Sequence, residues 1–194
     1  MSDAPLPARE QALALVHAWT ESESLRKHML AVESAMRAYA RRLGADEARW
    51  GLAGLVHDFD YERFPNKAFA ADREHPAEGV RHLRALGYPE DVLDAIMGHA
   101  DYTGVPRVTP MARALYAVDE LSGLVTAAAL IRPTRRVADV DVANVRKRMK
   151  DKAFSRGIDR AHITRGAEEL GVDLDAHIGV VLGAMQADAE RLGL

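Results

Sequence analysis

The chain has no cysteine. That excludes disulfides, a thiolate zinc site and a cysteine nucleophile, and it fits a reducing cytoplasm. No charge of one sign dominates. The formal net charge of −3 spreads over interspersed acids and bases, whereas a dedicated nucleic-acid binder is usually basic overall. No hydrophobic run is long enough to span a bilayer, which takes about 20 apolar residues; the longest, residues 124–131, falls far short. The opening Met-Ser-Asp-Ala-Pro carries neither the basic nor the apolar region of a targeting segment. A soluble, cytoplasmic protein that does not engage a membrane is therefore expected. Period-two alternation is missing too, so no strand is predicted.

What is present is helical periodicity along 194 residues, enough for one domain or one domain with an appendage. His28, Val32, Met36, Tyr39 and Leu43 recur at intervals of three and four, with Ser22 or Ser24 as the cap and Gly44 as the stop. A further segment starts near Asp46 and carries Trp50, Ala53, Gly54 and His57 on one face. Another starts at His75-Pro76 with Pro76 at the first helical position. Pro89 opens one that aligns Val92, Ile96 and His99, and Thr109-Pro110 opens one that aligns Ala112, Leu115 and Asp119. Beyond Pro133 come a basic amphipathic helix over 139–152, a capped helix over 159–170 closed by Gly171, and a last helix over 175–192. The one long irregular stretch, 59–74, holds Asp60, Tyr61, Arg63, Lys67 and Arg73. Long loops in compact domains tend to be functional or mobile.

His28, His57, His99 and Asp119 each fall on the apolar stripe of their own helix. A buried ionisable group is costly unless it is paired or bound to a metal. Four such exceptions on four helices around one core point to a shared site of the kind helix bundles build for metals. Any one of them alone reads equally well as a hydrogen-bonded core histidine or a capping aspartate. A His-Asp dipeptide such as His57-Asp58 is expected about once by chance in a chain of this composition, so the weight lies in the ordered set. Imidazoles favour Mn, Fe, Co, Ni or Zn over an all-oxygen Mg site, with Mg compatible with a second position.

The order His28, His57-Asp58, Asp119 on an all-helical frame resembles the HD-domain superfamily of metal-dependent phosphohydrolases, in its HDIG-like branch. "AGLVHDFD" at 53–60 is similar to the family's central helix ending in the His-Asp pair. "HPAEGVRHL" at 75–83 and "AIMGHAD" at 95–101 are similar to the segments that supply extra histidines in two-metal members. "TPMARALYAVDEL" at 109–121 is similar to the helix with the closing aspartate. The matching strings span residues 24–131, about half the chain.

The resemblance implies an all-α bundle over about 8–132 with a helical extension, 133–194, packed on it. It implies that His28, His57, Asp58 and Asp119 form a primary metal site, with Asp58 the central catalytic residue, and that His75 and His99 complete a second metal with Asp58 bridging. A bridging carboxylate holds two metals roughly 3.5–4 Å apart, which suits a phosphoryl transfer. His75 has an alternative as an N-cap-like residue before Pro76, and the site would then hold one metal. The implied activity is hydrolysis of a small nucleotide or other phosphoester by a metal-activated water. Two other readings fit the same set: a di-iron oxygenase of the HD type, and a catalytically silent nucleotide-binding protein. The cyclic di-GMP-cleaving class is not predicted: His99 is followed by Ala100 instead of a second histidine, and Gly87-Tyr88-Pro89 precedes the His99 helix.

A phosphorylated substrate needs cationic partners. The candidates are Arg63, Lys67 and Arg73 in the loop and Arg107 between His99 and Asp119; Arg132, Arg135, Arg136, Lys147, Lys150 and Lys152 lie further on. Asp60, Glu78 and Asp101 are candidates to support a ligand or orient water. His17, His82, His162 and His177 read as surface or supporting residues. The apolar face of the last helix suits either a cover over the cleft or a homodimer interface.

Overall fold

The computed structural model describes residues 6–194; Met1–Pro5, in which no targeting segment was read, lies outside the described residues. The protein is all-helical, and no strand occurs among those residues. Ten helices follow in order: α1 (Arg9–Trp19), α2 (Glu23–Leu43), α3 (Glu47–Val56), α4 (Ala77–Ala85), α5 (Glu90–Gly98), α6 (Pro110–Leu130), α7 (Val142–Lys150), α8 (Arg160–Leu170), α9 (Leu174–Ala187) and α10 (Ala189–Leu192). None is long and apolar enough to cross a membrane.

Local chemistry sets the helix ends. Ser22, Asp46, Thr109, Asp141, Asp159 and Asp173 each cap a helix by accepting a backbone N–H. Gly44 and Gly171 close α2 and α8 in the left-handed region, at φ +66° and +73°. Three expected boundaries move. The basic helix expected over 139–152 is confined to Val142–Lys150, because Asp141 caps it. Pro76 is the N-cap of α4 instead of its first residue. The last expected helix breaks at Asp188, whose carboxylate accepts from Ser34 Oγ and Arg191 and so holds the chain end against α2.

The long helices α2 and α6 cross at the centre. Helices α3 and α9 lie on α2, and α5 and α8 lie on α6. A Cβ at Gly54 would come within 3.0 Å of the Glu33 backbone, so the α2–α3 crossing is as close as it is because Gly54 has no side chain. Gly166 does the same for α8 on α6, where a Cβ would sit 2.7 Å from Ala117 Cα. One continuous core runs through the whole bundle and takes Val145, Ile163, Ile178, Val181 and Met185 from the C-terminal helices. Glu33, fully buried in α2, is held by Arg9, Arg37 and Arg191, which tie both ends of the chain to the central helix.

The stretch between α3 and α4 is irregular but internally bonded. Asn66 Nδ2 donates to the carbonyls of Ala70, Arg73 and His75, and Asn66 Oδ1 accepts from Ala70 N. This satisfies backbone groups that no helix pairs.

Candidate metal centre

Four helices and one loop converge on Asp58. His57 ends α3 and His99 ends α5, and the two rings are anchored alike. His57 Nδ1 donates to Gly54 O at 2.9 Å and His99 Nδ1 to Ile96 O at 2.5 Å, each a carbonyl in the last turn of its own helix. His75, at the end of the irregular loop, donates from Nδ1 to Asp60 Oδ1 at 2.7 Å; Asp60 Oδ2 accepts the N–H of Gly79 at 2.7 Å. In all three rings Nδ1 bears a proton and Nε2 is turned inward; the Nε2 atoms of His75 and His99 lie 3.3 Å apart. This is the arrangement metal-ligating histidines adopt, with an outer oxygen fixing tautomer and orientation.

The free atoms fall into two trios, His28/His57/Asp119 and Asp58/His75/His99, whose candidate ligand atoms lie within 4.8 Å of one another inside each trio. Asp58 stands between them. Its Oδ2 lies 3.3 Å from His57 Nε2 and 3.8 Å from His28 Nε2, and its Oδ1 lies 3.4 Å from His75 Nε2 and 3.5 Å from His99 Nε2. Asp119 Oδ1 sits 2.9 Å from His28 Nε2 and 3.5 Å from His57 Nε2.

The electrostatics of the cluster call for positive charge at its centre. Burial opposes ionisation of Asp58, yet His57, His99 and His75 hold its carboxyl well below the usual range. Asp119 is likewise held low against burial by His28 and His57. Burial opposes the charged form of His57 and His99, but Asp58 and Asp119 push His57 well above its ordinary value, and Asp58 leads in raising His99. A divalent cation would meet the same demand and displace those protons. The donor set fits one by a second measure. His57 Nε2 is fully buried with no hydrogen-bond partner, a cost that a metal ligand does not incur.

All six predicted ligands, His28, His57, Asp58, His75, His99 and Asp119, are thus brought together. The cationic candidates are not. Arg63 donates to the carbonyls of Ala18 and Trp19 and lies over the Trp19 ring, stapling the loop to α1. Arg107 is bound by Glu169, Asp101 and the Gly98 carbonyl and stacks on Tyr116 at 3.6 Å. Lys67 and Arg73 are exposed on the loop, and none of the four lines the cleft beside the ligands. Asp60 supports His75; Glu78 pairs with Arg81; Asp101 pairs with Arg107 and Arg165. His177 is a core residue, bonded to Tyr39 Oη and the Ala117 carbonyl.

The cleft has a volume of about 490 Å³. Beyond the ligands its walls are Tyr61, Phe69 and Tyr102, together with Asp101, Glu120, Ile158, Asp159 and His162. The sequence pattern did not single out Phe69, Tyr102, Glu120, Asp159 or His162 as site residues. Only Glu120, beside Asp119, carried a positional signal. Burial, with Asp119 and Asp159 close by, pushes the Glu120 carboxyl up to about 7.

The HD domain family model matches residues 25–124. Ribonuclease Y of Oleidesulfovibrio alaskensis is 33% identical over 104 residues, which are 53% of this chain and 18% of that protein. The chain therefore spans less than a fifth of the length of that relative. No solved structure matches the chain.

Proposed function

The chain belongs to the HD domain family, and on that premise we propose that it is a phosphohydrolase that cleaves a small phosphoester at a divalent metal centre. The observation that carries this reading is the division of Asp58 between two His/Asp trios at the floor of a cleft. His28, His57 and Asp119 would hold one ion, His75 and His99 a second, and Asp58 would reach both. When bound, such a pair supplies charge neutralisation for a phosphoryl group and lowers the pKa of water. The chain's own residues do the rest. The Gly54 and Ile96 carbonyls and Asp60 hold three imidazoles in one tautomer, so their Nε2 atoms need no reorganisation. Tyr61, Phe69 and the C-terminal residues Ile158 and His162 enclose the space where the ester's organic portion lies.

The name of the relative points to RNA, but the cleft argues for a small substrate. A polyanion needs cations along its backbone, and no lysine or arginine lines the cleft among the described residues.

The test is elemental analysis of protein purified without chelator, alongside phosphate release from aryl phosphates after reconstitution with Mn, Fe, Co, Ni or Zn. Metal at one to two equivalents and turnover are expected, both lost in Asp58→Ala. Full metal content in Asp58→Ala would sink the proposed site. Substrate-dependent O₂ uptake without phosphate release would favour an oxygenase, and tight nucleotide binding without turnover a silent binding protein.

A further inference from the structure

The wall of the cleft away from the ligands is built largely by the start of α8 and the loop ahead of it, outside the stretch that matches the family. Ile158, Asp159 and His162 line it with Glu120 and Gly123 of α6. Arg160 shapes this wall. Its guanidinium donates to the carbonyls of Asp151, Phe154, Ser155 and Ile158 and so folds the loop ahead of α8. Asp159 Oδ1 caps α8, and Asp159 N donates to Glu120 Oε2 at 3.3 Å. Asp159 Oδ2 and Glu120 Oε1 are left with no partner among the described residues, and no cation there pairs with either carboxylate.

His162 adds a third acceptor. Its Nε2 contacts the Tyr116 carbonyl at 2.8 Å, and a carbonyl can only accept, so Nε2 carries the proton. Stacking on Tyr116 at 3.7 Å holds the ring in place. In the neutral ring Nδ1 is then an acceptor, and it has no partner among the described residues. The nearby arginines are spent elsewhere: Arg107 on Glu169 and Asp101, Arg165 on Asp101, Arg160 on carbonyls. Another wall is aromatic. Phe69 and Tyr102 lie 5.4 Å apart, and Tyr61 meets His75 edge-on at 5.1 Å.

We propose that the C-terminal extension completes a leaving-group subsite selecting a phosphoester whose alcohol portion carries a protonated amine, with Glu120, Asp159 and His162 as acceptors and Tyr61, Phe69 and Tyr102 as the aromatic wall. An ammonium group offers three donors and no acceptor, which matches a wall of acceptors. It is attracted to carboxylates and to aromatic faces alike. An anionic leaving group meets the Glu120 and Asp159 carboxylates with no cation beside them. The inference rests on the phosphohydrolase reading for the reacting end of the substrate. Hydrolysis would break the P–O bond to the amino alcohol and form one to the oxygen of water, with a proton ending on the alcohol; water is the only co-reactant.

The test uses the full chain reconstituted with Mn and three monoesters of similar size: ethanolamine phosphate, ethylene glycol monophosphate and phosphoglycolate, with adenosine monophosphate as a fourth. Both kcat/KM and equilibrium binding by calorimetry are measured. The ammonium ester is expected to lead the neutral one by about tenfold and the anionic one by more. Asp159→Asn, which keeps the helix cap, and Glu120→Gln should each remove most of that lead, with metal content unchanged in Asp159→Asn. Equal or better use of the neutral, anionic or nucleoside ester by the wild type overturns the proposal, as does an unchanged preference in both variants. Tighter binding of the ammonium ester without hydrolysis of any ester, abolished by Asp159→Asn, would support the subsite while refuting the phosphohydrolase reading.

Discussion

Asp60→Ala separates the two halves of the metal centre. Asp60 is buried at 1% exposure and makes two contacts of 2.7 Å, one to His75 Nδ1 and one to Gly79 N. Removing it frees the His75 ring to rotate and to change tautomer. Loss of such an outer-shell partner costs roughly 10–100-fold in metal affinity, about 1.4–2.8 kcal/mol. It also strands the Gly79 N–H, at about 1–3 kcal/mol, which lowers Tm by roughly 2–12 °C in a chain of this size. A metal titration against a competing chelator reads the first effect and a thermal melt of the metal-free protein the second. The ion held by His75 and His99 should weaken, while the one held by His28, His57 and Asp119 keeps its affinity. Wild-type affinity at both positions, or equal loss at both, would refute the division of ligands drawn above.

Gly79→Ala should reproduce the metal phenotype by another route, because its Cβ would lie 2.6 Å from Asp60 Cγ; a metal titration checks it. His75→Ala should cost one equivalent by elemental analysis, and retention of two would remove His75 from the set. Gly166→Ala drives a Cβ to 2.7 Å from Ala117 Cα, so overpacking of about 1–3 kcal/mol should displace α8; a lower melting temperature with unchanged metal content is expected. Glu33→Gln should destabilise by about 3 kcal/mol at pH 7, because it removes the buried charge that the part-buried Arg9, Arg37 and Arg191 all face. Burial raises the Glu33 carboxyl, but Arg9, Arg191 and Arg37 outweigh it and hold the group below 4.5 in the fold. Its contribution is therefore complete above the unfolded value and is lost as pH falls through the folded one. The stability gap between wild type and Glu33→Gln in denaturant titrations should close at acid pH, and a gap that persists there would refute the ion-pair account.

The helices and the candidate metal ligands are legible in the sequence. Helix formation is periodic and local, so Ser22, Gly44, Asp159 and Gly171 marked real ends. Ionisable residues on apolar stripes violate that periodicity, which is why His28, His57, His99 and Asp119 stand out in the sequence. His75 came from resemblance to a motif, because it sits at the end of a loop whose order depends on Asn66. Tertiary structure alone decided what surrounds the ligands. Arg63 and Arg107 read as phosphate binders because charge is visible in a sequence and partnership is not; Trp19 and Glu169, far away in the chain, occupy them. His162 read only as a surface or supporting residue, and Asp159 only as a helix cap, for the same reason in reverse. The close approach of α8 to α6 at Gly166, a contact between residues 49 apart in sequence, sets their place in the cleft wall.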